Sequence, residues 1–186
     1  MATQIAYRLL TAEEFLAIDF GPDSKAELDN GVIHMMAGGT RRHAGVSGNI
    51  FAALHTRLRG SGCAPYGSDM AARTHDRSVR YPDVSVYCGR DDPAFDNDKS
   101  DPDPAVVFEV LSAGTARTDL RVKLDEYKVL PSVQTIIFVD IAVERLRVVQ
   151  RTGPSGWFDD THTEPYDLVL PSLNLTIPHT EIFARD

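Results

Sequence analysis

The chain has 186 residues, 42% of them hydrophobic and 25% charged, an ordinary globular composition that supplies one domain with a core. Its two cysteines are too few for a disulfide framework, and no segment approaches transmembrane length. The formal net charge of −8 excludes the usual balance of a nucleic-acid-binding protein, yet the charge is uneven: residues 1–90 carry ten Lys/Arg against nine Asp/Glu, and residues 91–186 carry nine against eighteen.

The elements follow in chain order. Thr11 with Glu14 three residues on forms a capping-box pattern and predicts a short helix over "TAEEFLAIDF". Asn30-Gly31 between apolar runs predicts a hairpin. Val46, Ile50, Ala53, Leu54 and Leu58 stand at helical spacing, and Gly60 and Gly62 end that helix. Cys63 to Cys88 reads as two strands with a turn at "THDRS", and both cysteines read as reduced thiols. Residues 89–104 form a polar, Pro-punctuated loop. "AVVFEVLS" is a strand, "ARTDLRVKLDEYKVL" a helix closed by Pro131, and "VQTIIFVDI" a central strand. "ERLRVVQRTG" and the segment around Trp157 continue the sheet in antiparallel fashion, and the tail holds extended pieces with a last turn of helix. No repeat or linker divides the chain, so a single domain over 1–186 is expected. The N-terminal residues lack the apolar core of a signal peptide, so a soluble cytoplasmic protein is expected.

The chemistry concentrates in two strands and one helix. In "RYPDVSVYC", Pro82 cannot donate to a ladder, and Asp83 stands beside an apolar run where a lone carboxylate is costly to bury. Glu109 lies inside the apolar strand "AVVFEVLS", on the face of Val107 and Leu111 by alternation. Such a group must be paired, protonated or metal-bound. Lys123 borders the apolar stripe Leu120, Leu124, Tyr127, Leu130 of the next helix. A strand–helix crossover runs that helix back over its strand and brings Lys123 level with Glu109. Two carboxylates suit Mg²⁺ or Mn²⁺, the cation activates a water, and a lysine stabilises developing charge.

These residues carry a resemblance. Pro82-Asp83 followed by "EVLS" at Glu109–Ser112 resembles the PD-(D/E)XK nuclease superfamily, and within it the Uma-type restriction endonuclease family. "ELDNGVI", His43, "YPDVSVY", "EVLSAGTARTDLRVKLDEY", "LPSVQTIIFVD" and "LPSLNLTI" occur in that family's order. The resemblance implies an α/β (α+β) fold with a mixed central sheet flanked by helices. It also implies divalent-metal cleavage of double-stranded DNA and a homodimer. Where the superfamily motif has lysine two residues after the glutamate, this chain has Leu111, and Lys123 is the natural replacement. Glu27 matches the upstream acidic residue and is a further metal-ligand candidate, while Arg41, Arg42 and His43 are candidates for substrate binding.

Structural alternatives stand beside each residue. Asp83 could end a strand or pair with Arg80, Glu109 could be one half of a buried ion pair, and Lys123 could pair with Asp119. His43 could simply open a helix, and Glu27 could be a solvated strand residue. No zinc spacing occurs, "DNDKSD" lacks the glycine and final glutamate of a calcium loop, and there is no Gly-rich phosphate loop. The rival to a nuclease is a non-catalytic nucleic-acid-binding or protein-interaction module on the same fold.

Overall fold

The computed structural model describes residues 8–22, 24–90, 93–111 and 118–185; Ser112 of the "EVLS" motif and the side chain of Asp119, the alternative partner of Lys123, lie outside the described set. Thr11 and Glu14 form the reciprocal cap that opens α1 (Ala12–Leu16). β1 (Ala26–Asp29) and β2 (Val32–Met35) are joined by Asn30 at φ 47° and Gly31 at φ 84°, two successive left-handed residues that close a tight hairpin. α2 (Arg41–Arg57) starts at a Thr40 cap and buries Val46, Ile50, Ala53 and Leu54, the residues the spacing selects.

Between Cys63 and Cys88 the sequence predicts two strands, and the structure has four. They are β3 (Cys63–Gly67), β4 (Ala71–His75), β5 (Ser78–Arg80) and β6 (Val84–Cys88). The turn at "THDRS" joins β4 to β5 as expected. The extra divisions arise because this stretch serves two sheets: β3 pairs with β6, while β4 and β5 pair with each other and, through β5, with β1. The chain changes sheets at 81–83, so Pro82 falls where no ladder donor is needed.

The polar loop holds a 3₁₀ turn (Pro93–Phe95) and the short β7 (Ser100–Asp101). Then come β8 (Val106–Leu111), α3 (Thr118–Val129) and β9 (Thr135–Asp140), a strand–helix–strand unit with β8 and β9 parallel. β10 (Arg145–Arg151) and β11 (Trp157–His162) add the expected antiparallel continuation. β12 (Leu168–Leu170), β13 (Leu175–Ile177) and α4 (His179–Ile182) form the tail.

The architecture is a mixed six-stranded sheet, ordered β11-β10-β9-β8-β6-β3, beside a five-stranded sheet, ordered β2-β1-β5-β4-β7. α2 covers one face of the larger sheet, with Val46, Ile50 and Leu54 against Val84, Phe108 and Ile137. α3 covers the other, with Leu124, Tyr127 and Leu130 against Val107, Ile136 and Phe138. α1 closes the smaller sheet through Phe15. No described helix is long and apolar enough to cross a membrane.

The cysteines are corrected by the structure. Cys63 and Cys88 are direct partners across β3 and β6, with Cα atoms 3.9 Å apart, and they form a disulfide. Two cysteines 25 residues apart give no local sign of this; the strand register alone brings them together.

Candidate active site

β6 and β8 run antiparallel with Val84 opposite Phe108 and Ser85 opposite Val107. One step further along that register lie Asp83 and Glu109, at the place where the chain passes between sheets. The two carboxylates expected on neighbouring strands are therefore on neighbouring strands. Asp83 Oδ2 accepts from the Val110 N–H at 2.7 Å, and its Oδ1 lies 3.2 Å from His43 Nε2. Arg80, the alternative partner of Asp83, is engaged elsewhere.

Glu109 is buried on the α3 side of the sheet. Its Oε1 accepts from the Tyr127 hydroxyl at 2.7 Å, and Lys123 Nζ lies 3.3 Å from Oε1 and 3.4 Å from Oε2. The level match between Lys123 and Glu109 is thus realised. Lys123 also donates to Glu27 Oε1 at 2.9 Å. Glu27 is only 7% exposed, not a solvated strand residue, and the same Oε1 accepts from the Tyr81 N–H at 3.1 Å. The β1–β2 hairpin thus does lie beside the site and delivers Glu27 to Lys123.

The charges shape one another. Burial pushes the Glu109 carboxyl up to about 7; Lys123 works against that, while Asp83 and Glu27 add to it. Burial is the largest cause, and repulsion from the neighbouring carboxylates adds less. Burial also opposes the Lys123 charge, yet Glu109 and Glu27 outweigh it and hold the ammonium above its ordinary pKa. The contact with Asp83 raises His43.

Behind these groups lies a network that sequence reasoning missed. The Arg80 guanidinium, 4% exposed, donates to both oxygens of Glu126 at 2.7 and 2.8 Å and lies 3.0 Å from Asp29 and 3.5 Å from Glu27. Thr74 adds a bond to Glu126 at 2.9 Å. Tyr127 was read only as a core residue. Its signal was available: Lys123, Glu126 and Tyr127 stand at i, i+3 and i+4, one helical face.

The substrate candidates separate. His43 is at Asp83. Arg41 is exposed in the first turn of α2. Arg42 is held on the C-terminal segment, donating to Phe183 O, Ala184 O and Glu144 at 3.0–3.1 Å.

Among the described residues, no three His, Cys, Asp or Glu side chains gather into a ready metal cage. Asp83 and Glu109 nevertheless fit a hard divalent cation. They supply oxygen donors of the kind such a cation takes, on residues one step beyond the Val84–Phe108 pair of β6 and β8.

Comparisons with known proteins bear on the fold and the family. The uncharacterised protein sll1609 of Synechocystis sp. (strain PCC 6803) is 28% identical over 153 residues, covering 81% of this chain and 85% of that protein. The uncharacterised protein slr1290 of the same organism is 26% identical over 172 residues, covering 90% and 87%. A crystal structure described as a putative nuclease belonging to DUF820, from Anabaena variabilis, superposes with a TM-score of 0.74 at 16% identity, covering 94% of this chain and 98% of that one, and shows the same fold. The family profile described as "Uma2: Putative restriction endonuclease" matches residues 12–178. The chain belongs to the Uma2 family of putative restriction endonucleases.

Proposed function

We propose that this protein hydrolyses phosphodiester bonds of double-stranded DNA, using Mg²⁺ or Mn²⁺ held by Asp83 and Glu109. The observation that carries the reading is Lys123 Nζ at 3.3–3.4 Å from the Glu109 carboxylate, with Asp83 bonded to the N–H of the next residue, Val110. Two carboxylates suffice, because Mg²⁺ commonly keeps several waters and takes the rest of its ligands from substrate phosphate. When bound, such a cation supplies Lewis acidity and a water of lowered pKa.

The chain's own residues do the remainder. The Val110 N–H fixes one oxygen of Asp83, and Tyr127 fixes one oxygen of Glu109. Glu27 and Glu109 hold the Lys123 ammonium charged, so it can stabilise charge that develops on the phosphoryl oxygens. Exposed Arg41 is the phosphate contact that positions the duplex. Arg42 serves the substrate only indirectly, by anchoring α2 to the C-terminal segment. The homodimer expected from the family resemblance belongs to the same proposal.

The test is plasmid cleavage by wild type, Asp83→Ala and Lys123→Ala in Mn²⁺, with cation binding measured by calorimetry on each. Lys123→Ala should bind the cation and lose cleavage on the order of 10²-fold or more. Asp83→Ala should lose both. Because Lys123→Ala leaves Glu27 and Glu109 without their partner, its fold is checked by circular dichroism beside the assay. A wild type that binds cation and DNA but leaves the plasmid intact would favour the non-catalytic module.

A further inference from the structure

His43 is the neighbour of Asp83 that the reaction scheme leaves without a task. Its Nε2 lies 3.2 Å from Asp83 Oδ1, while the other oxygen of Asp83 is taken by the Val110 N–H. The His43 and Asp83 side chains are 19% and 18% exposed, so the pair lines the site without being sealed from it.

Two local features hold the imidazole there. Thr40, the cap of α2, accepts from the His43 backbone N–H at 3.2 Å and fixes where the side chain leaves the helix. Gly39 then presses on the ring. A Cβ added at Gly39 would stand 2.8 Å from His43 Nδ1 and 2.9 Å from its Cγ, closer than real Cβ contacts come. Gly39 has no positive φ, and its three nearest obstacles all belong to the His43 side chain: two ring atoms and, at 3.3 Å, the Cβ. The glycine is required by the histidine, and the histidine by the carboxylate.

The geometry points to His43 as a positioning residue for Asp83. Gly39 and Thr40 seat the ring so that it holds the Asp83 carboxylate in the orientation that receives the divalent cation. This deepens the proposed function and rests on its assignment of Asp83 as a ligand. Outer partners that orient ligating carboxylates typically change cation affinity 10–100-fold when removed.

The experiment is a double-mutant cycle read by Mn²⁺ calorimetry on wild type, Gly39→Ala, His43→Ala and the double variant, with thermal unfolding recorded for each. Expected is a loss of Mn²⁺ affinity on the order of 10–100-fold in His43→Ala and a similar loss in Gly39→Ala, which retains the imidazole but displaces it. In the His43→Ala background, Gly39→Ala should cost little further, because the ring is gone and only the side-chain Cβ, 3.3 Å away, remains. His43→Gln, which restores a side-chain donor, should recover part of the affinity. Wild-type Mn²⁺ affinity in both single variants would overturn the inference. So would additive losses in the double variant, which would make Gly39 a backbone effect independent of the ring. If Mn²⁺ binds wild type and Asp83→Ala equally, Asp83 is no ligand, and the proposed function fails together with this role of His43.

Discussion

At the scale of single residues, the site is a contest between burial and charge, and Tyr127 shows how it is decided. Among the described residues its hydroxyl is the one neutral donor on Glu109, at 2.7 Å among the core side chains under α3. Tyr127→Phe keeps the ring and its packing but leaves that carboxylate oxygen short of a partner. The expected cost is about 1–3 kcal/mol, the range for stranding a buried acceptor, read as a lower midpoint in urea. A midpoint unchanged from wild type would show that Glu109 finds a replacement donor. Asp83 and Glu109 could be found in the sequence because a carboxylate in an apolar strand is out of place. Tyr127 is harder to single out, because an aromatic residue on an apolar helical stripe reads as core, and its one signal is the i, i+4 spacing from Lys123. Arg80 and Glu126 were hidden for a different reason. Their bond spans 46 residues and joins β5 to α3, and no local pattern encodes that distance.

At the scale of elements, helices and hairpins were legible wherever a short-range rule governs them. The Thr11–Glu14 cap and the Asn30-Gly31 turn each depend on residues within three or four positions. The four strands between Cys63 and Cys88 were read as two, because which sheet a strand joins depends on partners elsewhere in the chain. Edge strand β11 offers a measurable case of such pairing. Arg147 on β10 donates to both oxygens of Asp159 at 2.8 and 2.7 Å. That bond holds the Asp159 pKa below its ordinary 3.8. The unfolded chain therefore takes up the proton first as pH falls. The stabilisation is complete above 3.8 and is lost as pH drops through the lowered folded value. The two side chains are 36% and 34% exposed, so the pair contributes about 0.5–1 kcal/mol at most. Asp159→Asn should lose that much at neutral pH and show a flatter acid limb in its stability–pH curve, measured by denaturation from neutral pH down through 3.8 and below. A curve parallel to wild type would assign the acid limb to other carboxylates.

At the scale of the whole molecule, the disulfide is the strongest constraint that the sequence concealed. The Cys63–Cys88 link encloses a 25-residue separation that holds β3 and β6 of one sheet and β4 and β5 of the other. On the chain-entropy account, closing a loop of this size restricts the unfolded state by about 3 kcal/mol. Replacing both cysteines by serine should lower stability by up to about that amount. Chemical denaturation of oxidised protein, reduced protein and the double serine variant checks it. Equal stability of all three would mean that the strand pairing alone holds this edge.

Three residues, 81–83, carry the chain from one sheet to the other, and the charges divide along the same line. The smaller sheet contributes Glu27; β8 of the larger sheet contributes Glu109, with Asp83 at the threshold of β6; Lys123 on α3 grips both glutamates. The ammonium therefore works as a rivet between two plates. Removing Glu27 alone would leave Lys123 on Glu109 and free an N–H donor of the ammonium for an anion. The seam between the sheets is thus where the lysine's positive charge is shared out between two carboxylates before any phosphate arrives.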